Sequence, residues 1–586
     1  MALAKPNQLD LNILSRVMAQ TAPYRTVFWL SALLAVVLAP LATLRPYLVQ
    51  KMVDDHIFRF DMAGLGRLAW IFAGVLLLHA ILQYLFIFLT NWLGQVVVRD
   101  LRIRVFRHVT ALRLSYFDRT PIGNITTRTI NDLETINQVF SQGIITMVAD
   151  VLTLLVVLGI MLATSWKLTL ICMITMPFLV LASYVFKEKV KASFQSVRTQ
   201  VSRMNAFLQE RISGMRIVQI FNAEDQEEAR FKAINQDYTR ANLDSVLYYA
   251  VFYPVVEIIS AASLGLMVWY GARGVVAEEV TLGVLVAFPI YLNMLFNPIR
   301  VLADKFNTLQ MGLVASERVF NLLDLEDQLE TGGALAPKRL LGEVAFEKVS
   351  FAYSDDNLVL RDVSFRVAPG QTLAIVGATG SGKSTIIGLL MRFYPYSMGR
   401  ILVDGVEIKD YALTAYRHRI ALVLQDVFLF SGTVLENITL RDTSISEEEV
   451  VRAAEMIGAH KFIEKLPGGY HYQVMERGAT LSMGQRQLIS FVRALVFDPD
   501  ILILDEATSS IDPESEEVIQ FAIETLIAKR TSIIIAHRLS TIRHADRILV
   551  LHQGRVEETG TEEELLKMED GYYRKLHEMQ FLQLSS

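Results

Sequence analysis

Six apolar runs of bilayer length crowd the first 301 residues of this chain, near Val27–Leu48, Leu68–Leu93, Ile144–Ala163, Leu168–Phe186, Leu247–Tyr270 and Leu282–Val301. A hydrocarbon core ~30 Å thick takes about 20 apolar residues at ~1.5 Å each. Inside it every backbone polar group must be paired within the protein, which leaves helices as the economical solution. The runs therefore predict six spanning helices rather than core helices of a soluble protein. The high mean hydropathy of +0.35 is concentrated in this half of the chain. The second half reads as a water-soluble domain.

Basic residues set the orientation. Arg99, Arg102, Arg104, Arg107, Arg113, Arg119 and Arg128 follow the second run, and Lys187, Lys189, Lys191, Arg198, Arg203, Arg211 and Arg216 follow the fourth. The opposite loops carry mainly Lys51, Arg59, Arg67, Lys167 and Arg273. By the positive-inside tendency both long connections and both termini face the cytoplasm. A net charge of −5 gives no reason to suspect nucleic acid, and one cysteine, Cys172, excludes an intrachain disulfide or a cysteine-based metal cluster. Met1–Arg25 lacks a signal-peptide core. Its amphipathic stretch (Leu9, Leu11, Ile13, Leu14, Val17, Met18) suits the membrane surface.

Both cytoplasmic connections continue the helical pattern to a single break, Tyr116–Gly123 in the first and about Phe221–Glu227 in the second. A helix from Leu68 to the first break would run about 70–75 Å, far more than the membrane needs. The spans thus form levers ending in turns that can touch a cytoplasmic machine.

That machine begins after a change of composition at Asp324 and a polar linker over 325–341, centred on Glu326–Pro337. Strands are expected at Val344–Phe346 and Val349–Tyr353. The apolar run Leu373–Val376 then leads into Gly377, Ala378, Thr379, Gly380, Ser381, Gly382, Lys383, Ser384 and Thr385. A glycine, four free positions, then Gly-Lys-Ser is the phosphate-cradling pattern. Glycines let the backbone curl around phosphate oxygens, and the following helix offers its positive end. Lys383 can reach the β- and γ-phosphates of ATP, and Ser384 can offer its hydroxyl to Mg²⁺. Downstream, Ile501–Leu504 suits a buried parallel strand that delivers Asp505, placed to organise Mg²⁺, and Glu506, placed to polarise an attacking water.

Between these motifs stands Leu481-Ser482-Met483-Gly484-Gln485, and the joint register with His537 resembles the ATP-binding-cassette proteins. The six-span half resembles the exporter type, with one membrane domain fused to one cassette; the resemblance covers nearly the whole chain. It implies a helical membrane domain (1–324) plus an α/β P-loop ATPase domain (342–586) that works as a dimer. Tyr353 resembles the adenine-stacking aromatic, and Gln425, after an expected strand Ala421–Leu424, the glutamine that touches Mg²⁺ and water. Ser482, Gly484 and Gln485 resemble the signature that closes over nucleotide held by a second cassette. Ser510-Ile511-Asp512 resembles the loop through which the two sites communicate. His537, after Ser532–Ala536, is similar to the switch histidine, and Glu476-Arg477-Gly478 to the segment that contacts the coupling turns.

One position departs from the family pattern. Met483 stands where the signature usually has glycine, which would impair the partner's site while this chain's Lys383, Asp505, Glu506 and His537 remain complete. The asymmetry resembles one half of a heterodimeric exporter whose partner lacks the catalytic glutamate; a homodimer that tolerates methionine is the competing reading.

Within the spans, Glu257 stands out after Pro254, and an acid at that depth faces either a cavity or a helix partner. Asn91, Asn293 and Asn297 could line the same cavity, with Tyr84, Trp92, Tyr253, Tyr291 and Phe296 as aromatic surface or as lipid and packing contacts. Pro289 and Pro298 are expected to bend the sixth span. The resulting expectation is an ATP-driven exporter subunit for amphiphilic, drug-like or lipid-like cargo in a bacterial inner (plasma) membrane, with its cassette cytoplasmic. A lipid-flipping homodimer and an ATP-gated channel or regulator are the alternatives.

Overall fold

The computed structural model describes residues 11–584 except 330–331, 355–356, 506–512, 529, 537–541 and 544, with backbone alone at 142, 299–300, 302–304, 307, 513–515 and 579–584. It divides into two compact units. The first comprises the chain to Thr110 and Pro121–Glu326; the second comprises Ala111–Thr120 and everything from Asp327 on.

The first unit is all helix: α1 (Leu11–Ala19), α2 (Arg25–Lys51), α3 (Met62–Thr110), α5 (Ile122–Thr129), α6 (Asn131–Gln138), α7 (Ile144–Thr164), α8 (Trp166–Met173), α9 (Met176–Ser213), α10 (Met215–Ile220), α11 (Glu224–Val276) and α12 (Leu282–Leu323). The short α4 (Leu114–Arg119) belongs to the second unit. At 49 residues, α3 is ~73 Å long, which matches the lever read from the sequence. The helix α11 has 53 residues and stays helical through Pro254. The first break comes earlier than expected: α3 ends at Thr110, six residues before Tyr116, and the chain turns again at Thr120-Pro121 after the short α4; the second is a turn over Phe221–Ala223 with Asn222 at φ +48°.

Among the described residues, five helical stretches are long and apolar enough to cross a membrane. The sixth expected run is represented by Leu282–Pro298, the apolar head of α12, which remains one 42-residue helix through both Pro289 and Pro298. The core of this unit lies where α7, α8, α9, α11 and α12 meet, around Met161, Leu168, Leu179, Phe252, Met267 and Phe288. Trp29, Trp70, Leu77, Ile81 and Leu181 stay exposed, the inverse of a soluble protein.

The second unit is α/β. Its strands are β1 (Val344–Ala352), β2 (Leu358–Val367), β3 (Thr372–Val376), β4 (Met398–Val403), β5 (Val406–Glu407), β6 (Ile420–Val423), β7 (Gly432–Thr433), β8 (Gln473–Val474), β9 (Ile501–Asp505), β10 (Thr531–Ile535), β11 (Arg547–His552) and β12 (Arg555–Gly560). An antiparallel sheet runs β2-β1-β4-β5, and a second sheet runs β12-β11-β3-β10-β9-β6, with parallel pairing everywhere except at β12. The two strands expected before Tyr353 are one bent strand, β1, irregular between Phe346 and Val349, where Lys348 takes φ +51°. Besides α4, its described helices include α13 (Lys383–Leu390), α14 (Leu413–Arg417), α15 (Val434–Thr439), α16 (Glu447–Met456), α17 (His460–Glu464), α18 (Met483–Val496) and α19 (Pro513–Ile527), with two more over Glu562–Leu566 and Tyr572–Leu584. The apolar runs Thr372–Val376, Ile501–Leu504 and Thr531–Ile535 are buried throughout, as strands covered on both faces must be.

Candidate functional site

The parallel strands end level with one another. Val423 pairs with Leu504, Asp505 with Ile535, and Ile535 with Ile375. Open α/β sheets bind ligands beyond these carboxyl ends. The loop after β3, Gln425 just after β6 and Asp505 at the tip of β9 therefore share one rim. Glu506, Asp512 and His537 lie outside the described residues.

The loop after β3 is shaped by what its glycines avoid. A Cβ at Gly377 would lie 2.3 Å from the Leu551 carbonyl oxygen, and one at Gly382 (φ +104°) would strike Leu360 at 2.6 Å. Lys383, only 6% exposed, donates from Nζ to the carbonyls of Gly377 (2.7 Å) and Ala378 (3.1 Å), so the loop wraps its own lysine. Burial pulls the lysine's pKa down and the charge of Asp505 pulls it partly back. The Ser381 hydroxyl is buried with no hydrogen-bond partner. An orphaned donor at the centre of a loop wound for phosphate fits a nucleoside triphosphate and its metal.

Beyond β1, the Tyr353 hydroxyl lies 3.1 Å from Thr385 Oγ1 of α13, which ties the aromatic to the phosphate loop. Its ring meets Phe351 and Tyr394 edge-on, at 4.9 and 5.0 Å.

Ser482 caps α18 by accepting from the Gln485 N–H at 3.2 Å, and Gln485 Oε1 accepts from the Ser482 N–H at 3.0 Å. This reciprocal capping box leaves Met483 and Gly484 as the first helical residues, whose N–H groups have no partner within the helix. Met483 joins Arg486 and Gln487, one turn on, along a cleft of about 150 Å³ closed by Gln425, Asp426, Val427 and Arg477. Three separate sequence motifs thus converge on one cleft. Arg477 takes φ +56° in a short turn between β8 and α18.

In the helical unit the structure places the residues for which two readings were open. Tyr291 and Phe296 are buried in the helix core, where the Tyr291 hydroxyl donates to the Thr43 carbonyl at 3.3 Å. This is the packing role, one of the two readings the sequence left open for them. Glu257 is exposed, and the Asn91 and Asn293 amides bond back to Ile87 and Pro289 of their own helices. Two further charge pairs join helices of this unit. Asp150 of α7 pairs with Lys305 of α12, and Asp132 of α6 takes a two-pronged grip from Arg318 of α12 at 2.9 and 2.5 Å. Asp150 lies inside the apolar run Ile144–Ala163 and was visible there by the same criterion that singled out Glu257.

Residues 28–299 match the ABC transporter transmembrane region, and 360–509 the ABC transporter domain. The chain is 41% identical over 569 residues (97% of this chain, 94% of the relative) to an uncharacterized ABC transporter ATP-binding protein, YknV, of Bacillus subtilis. It is 37% identical over 546 residues (92% and 80%) to YheH of the same organism, named a probable multidrug resistance ABC transporter ATP-binding/permease protein. Over 571 residues (97% and 99%) it is 34% identical to an ATP-dependent lipid A-core flippase of Desulfotalea psychrophila. A membrane-helix unit and a phosphate-binding cassette in one polypeptide, matched along almost their whole length, make this chain a member of the ABC transporter family.

Proposed function

We propose that the chain is an ATP-hydrolysing half-transporter that exports amphiphilic molecules by alternating access, through six spanning helices and a cytoplasmic cassette (342–586) joined by a linker at 325–341. The observation that carries this reading is the loop wound around Lys383, with Ser381 unpartnered at its centre and Asp505 at the neighbouring strand end. Gly377–Thr385 would hold the ATP phosphates, with Lys383 on the β- and γ-groups, and Tyr353 would stack on adenine. Ser384, Gln425 and Asp505 would hold Mg²⁺, which when bound neutralises charge building on the phosphates. Glu506 takes a proton from water as its oxygen attacks the γ-phosphorus; the bond to the β-phosphate oxygen breaks, and ADP and phosphate leave. His537 steadies the γ-phosphate, and Asp512 links the site to its counterpart.

The signature Ser482, Gly484 and Gln485 serves the nucleotide of a second half-transporter. Met483 favours a heterodimer in which the partner lacks the catalytic glutamate. One observation favours a homodimer: the Ser482–Gln485 capping box is complete, and Met483 lies along the cleft by Gln425. ATPase assays of the assembled pair separate the two. In a heterodimer, Glu506→Gln abolishes most turnover and Met483→Gly leaves it intact or raised; substantial hydrolysis by the Glu506→Gln pair overturns the assignment. The relatives' names, multidrug resistance and lipid A-core flipping, support amphiphilic cargo; the membrane we propose is a bacterial inner (plasma) membrane. Stimulation of ATPase by purified lipids as against cationic drugs distinguishes lipid flipping from drug export.

A further inference from the structure

The segment Ala111–Thr120, between two helices of the membrane unit, is built into the cassette unit. Its backbone pairs with the start of the cassette: Arg113 N–H donates to the Asp327 carbonyl at 3.1 Å, Leu329 N–H to that of Ala111 at 2.9 Å, and Arg113 also pairs with the Asp327 carboxylate at 3.2 Å. Beyond this anchor, α4 ends in Asp118 and Arg119. Arg119 donates to the Tyr353 carbonyl at 2.6 Å, and the Tyr394 hydroxyl donates to the Asp118 carboxylate. Tyr394 meets the Tyr353 ring edge-on and lies against Gly388 of α13, where an added Cβ would sit 3.2 Å from its ring. One phenol thus touches the turn, the base-stacking aromatic and the helix that follows the phosphate loop. Burial, then the Asp118 carboxylate, pushes its pKa well up, so the donor keeps its proton at any physiological pH.

We propose that Tyr394 and Asp118 are positioning residues that report the seating of the nucleotide's base, through Tyr353, to the coupling turn at α4. This rests on the exporter reading above, and it assigns the sensing of the base to a device separate from the phosphate loop. An adenine stacked on Tyr353 fixes that ring, the edge of Tyr394 follows it, and the Tyr394–Asp118 bond together with the Arg119 grip carries the position to α4. A pyrimidine, with a smaller face, fixes Tyr353 less well.

The test uses the full-length assembled transporter in lipid nanodiscs, with ATP or UTP at saturating concentration. Hydrogen exchange is followed over residues 111–129 together with ATPase kinetics. In the wild type, ATP slows exchange in α4 several-fold more than UTP does. Tyr394→Phe and Asp118→Ala each keep basal kcat and the KM for ATP within about twofold, yet lose roughly tenfold of the ATP-dependent protection, the value of one charge-assisted hydrogen bond. Asp118→Asn, which retains an acceptor, restores most of it. If both variants keep full ATP-dependent protection, or if UTP protects α4 as well as ATP does, the proposal fails while the exporter reading stands. Absence of ATP hydrolysis in the wild type would instead strike the exporter reading itself.

Discussion

The two units place polar chemistry by opposite means. In the cassette, four parallel strands end at one level, and the phosphate loop, Gln425 and Asp505 each sit within a few residues of their own strand end, so this part of the site is assembled from short stretches of local sequence. In the membrane unit, the charged contacts join helices far apart in the chain, Asp132 to Arg318 and Asp150 to Lys305. A local motif carries its own geometry; an interhelical pair has none until the bundle forms. The nucleotide site should therefore fail in activity with its fold intact, and the helix pairs should fail in stability.

The largest effect expected is on turnover. Lys383→Ala removes the donor inside the phosphate loop and lowers ATP hydrolysis by roughly 10²–10³-fold in a steady-state assay, with an unchanged elution volume on size exclusion. Next comes the membrane unit. Asp132 is 4% exposed, so Arg318→Met strands a buried carboxylate and costs about 3 kcal/mol, seen as a lowered Tm in detergent. The double variant Asp132→Asn/Arg318→Met recovers most of that loss. If the single variant melts with the wild type, the helix pairs are not structural and the contrast between the units collapses. Smaller again is Ser482→Ala, which unpairs the first turn of α18 for ~1 kcal/mol and weakens turnover, whereas Ser482→Asp keeps the cap.

The smallest effect concerns Arg16 and Asp324, paired through two bonds of 2.8 Å but about half exposed on both sides. Arg16→Ala frees α1 from the end of α12 for no more than ~1 kcal/mol. The hydrogen bond from Arg16 holds the Asp324 pKa below the ordinary carboxylate value. The stabilisation is thus present above that ordinary value and is lost as pH falls through the lowered one. The protection of the α1 amides, corrected for the intrinsic pH dependence of exchange, should be unchanged between pH 8 and 5 and fall only below about pH 4.

The same contrast explains what the sequence disclosed. Gly377–Thr385 and the strand that delivers Asp505 were legible because a spacing of a few residues fixes their geometry, whereas the Ser482–Gln485 capping box was seen only in the structure. The length of α3 was legible from hydrophobic patterning, and the Thr-Pro step marked the turn after α4, but the end of α3 at Thr110 was not, since no glycine or proline stands there. The bend in β1 was not, since nothing in Glu347-Lys348 marks a positive φ. The burial of Tyr291 and Phe296 depends on which face of α12 meets α7 and α9, a choice made only when the helices pack. The Tyr394–Asp118 bond spans 276 positions and belongs to no motif, so only the folded unit reveals it.

The account stands on nucleotide-driven closure, and electron cryo-microscopy of the Glu506→Gln assembly in nanodiscs, with and without Mg-ATP, tests it most directly. It predicts separated cassettes and an inward-open bundle without nucleotide, and joined cassettes with altered helix hairpins around α9 and α11 when Mg-ATP is bound. Indistinguishable geometry in the two conditions would contradict it.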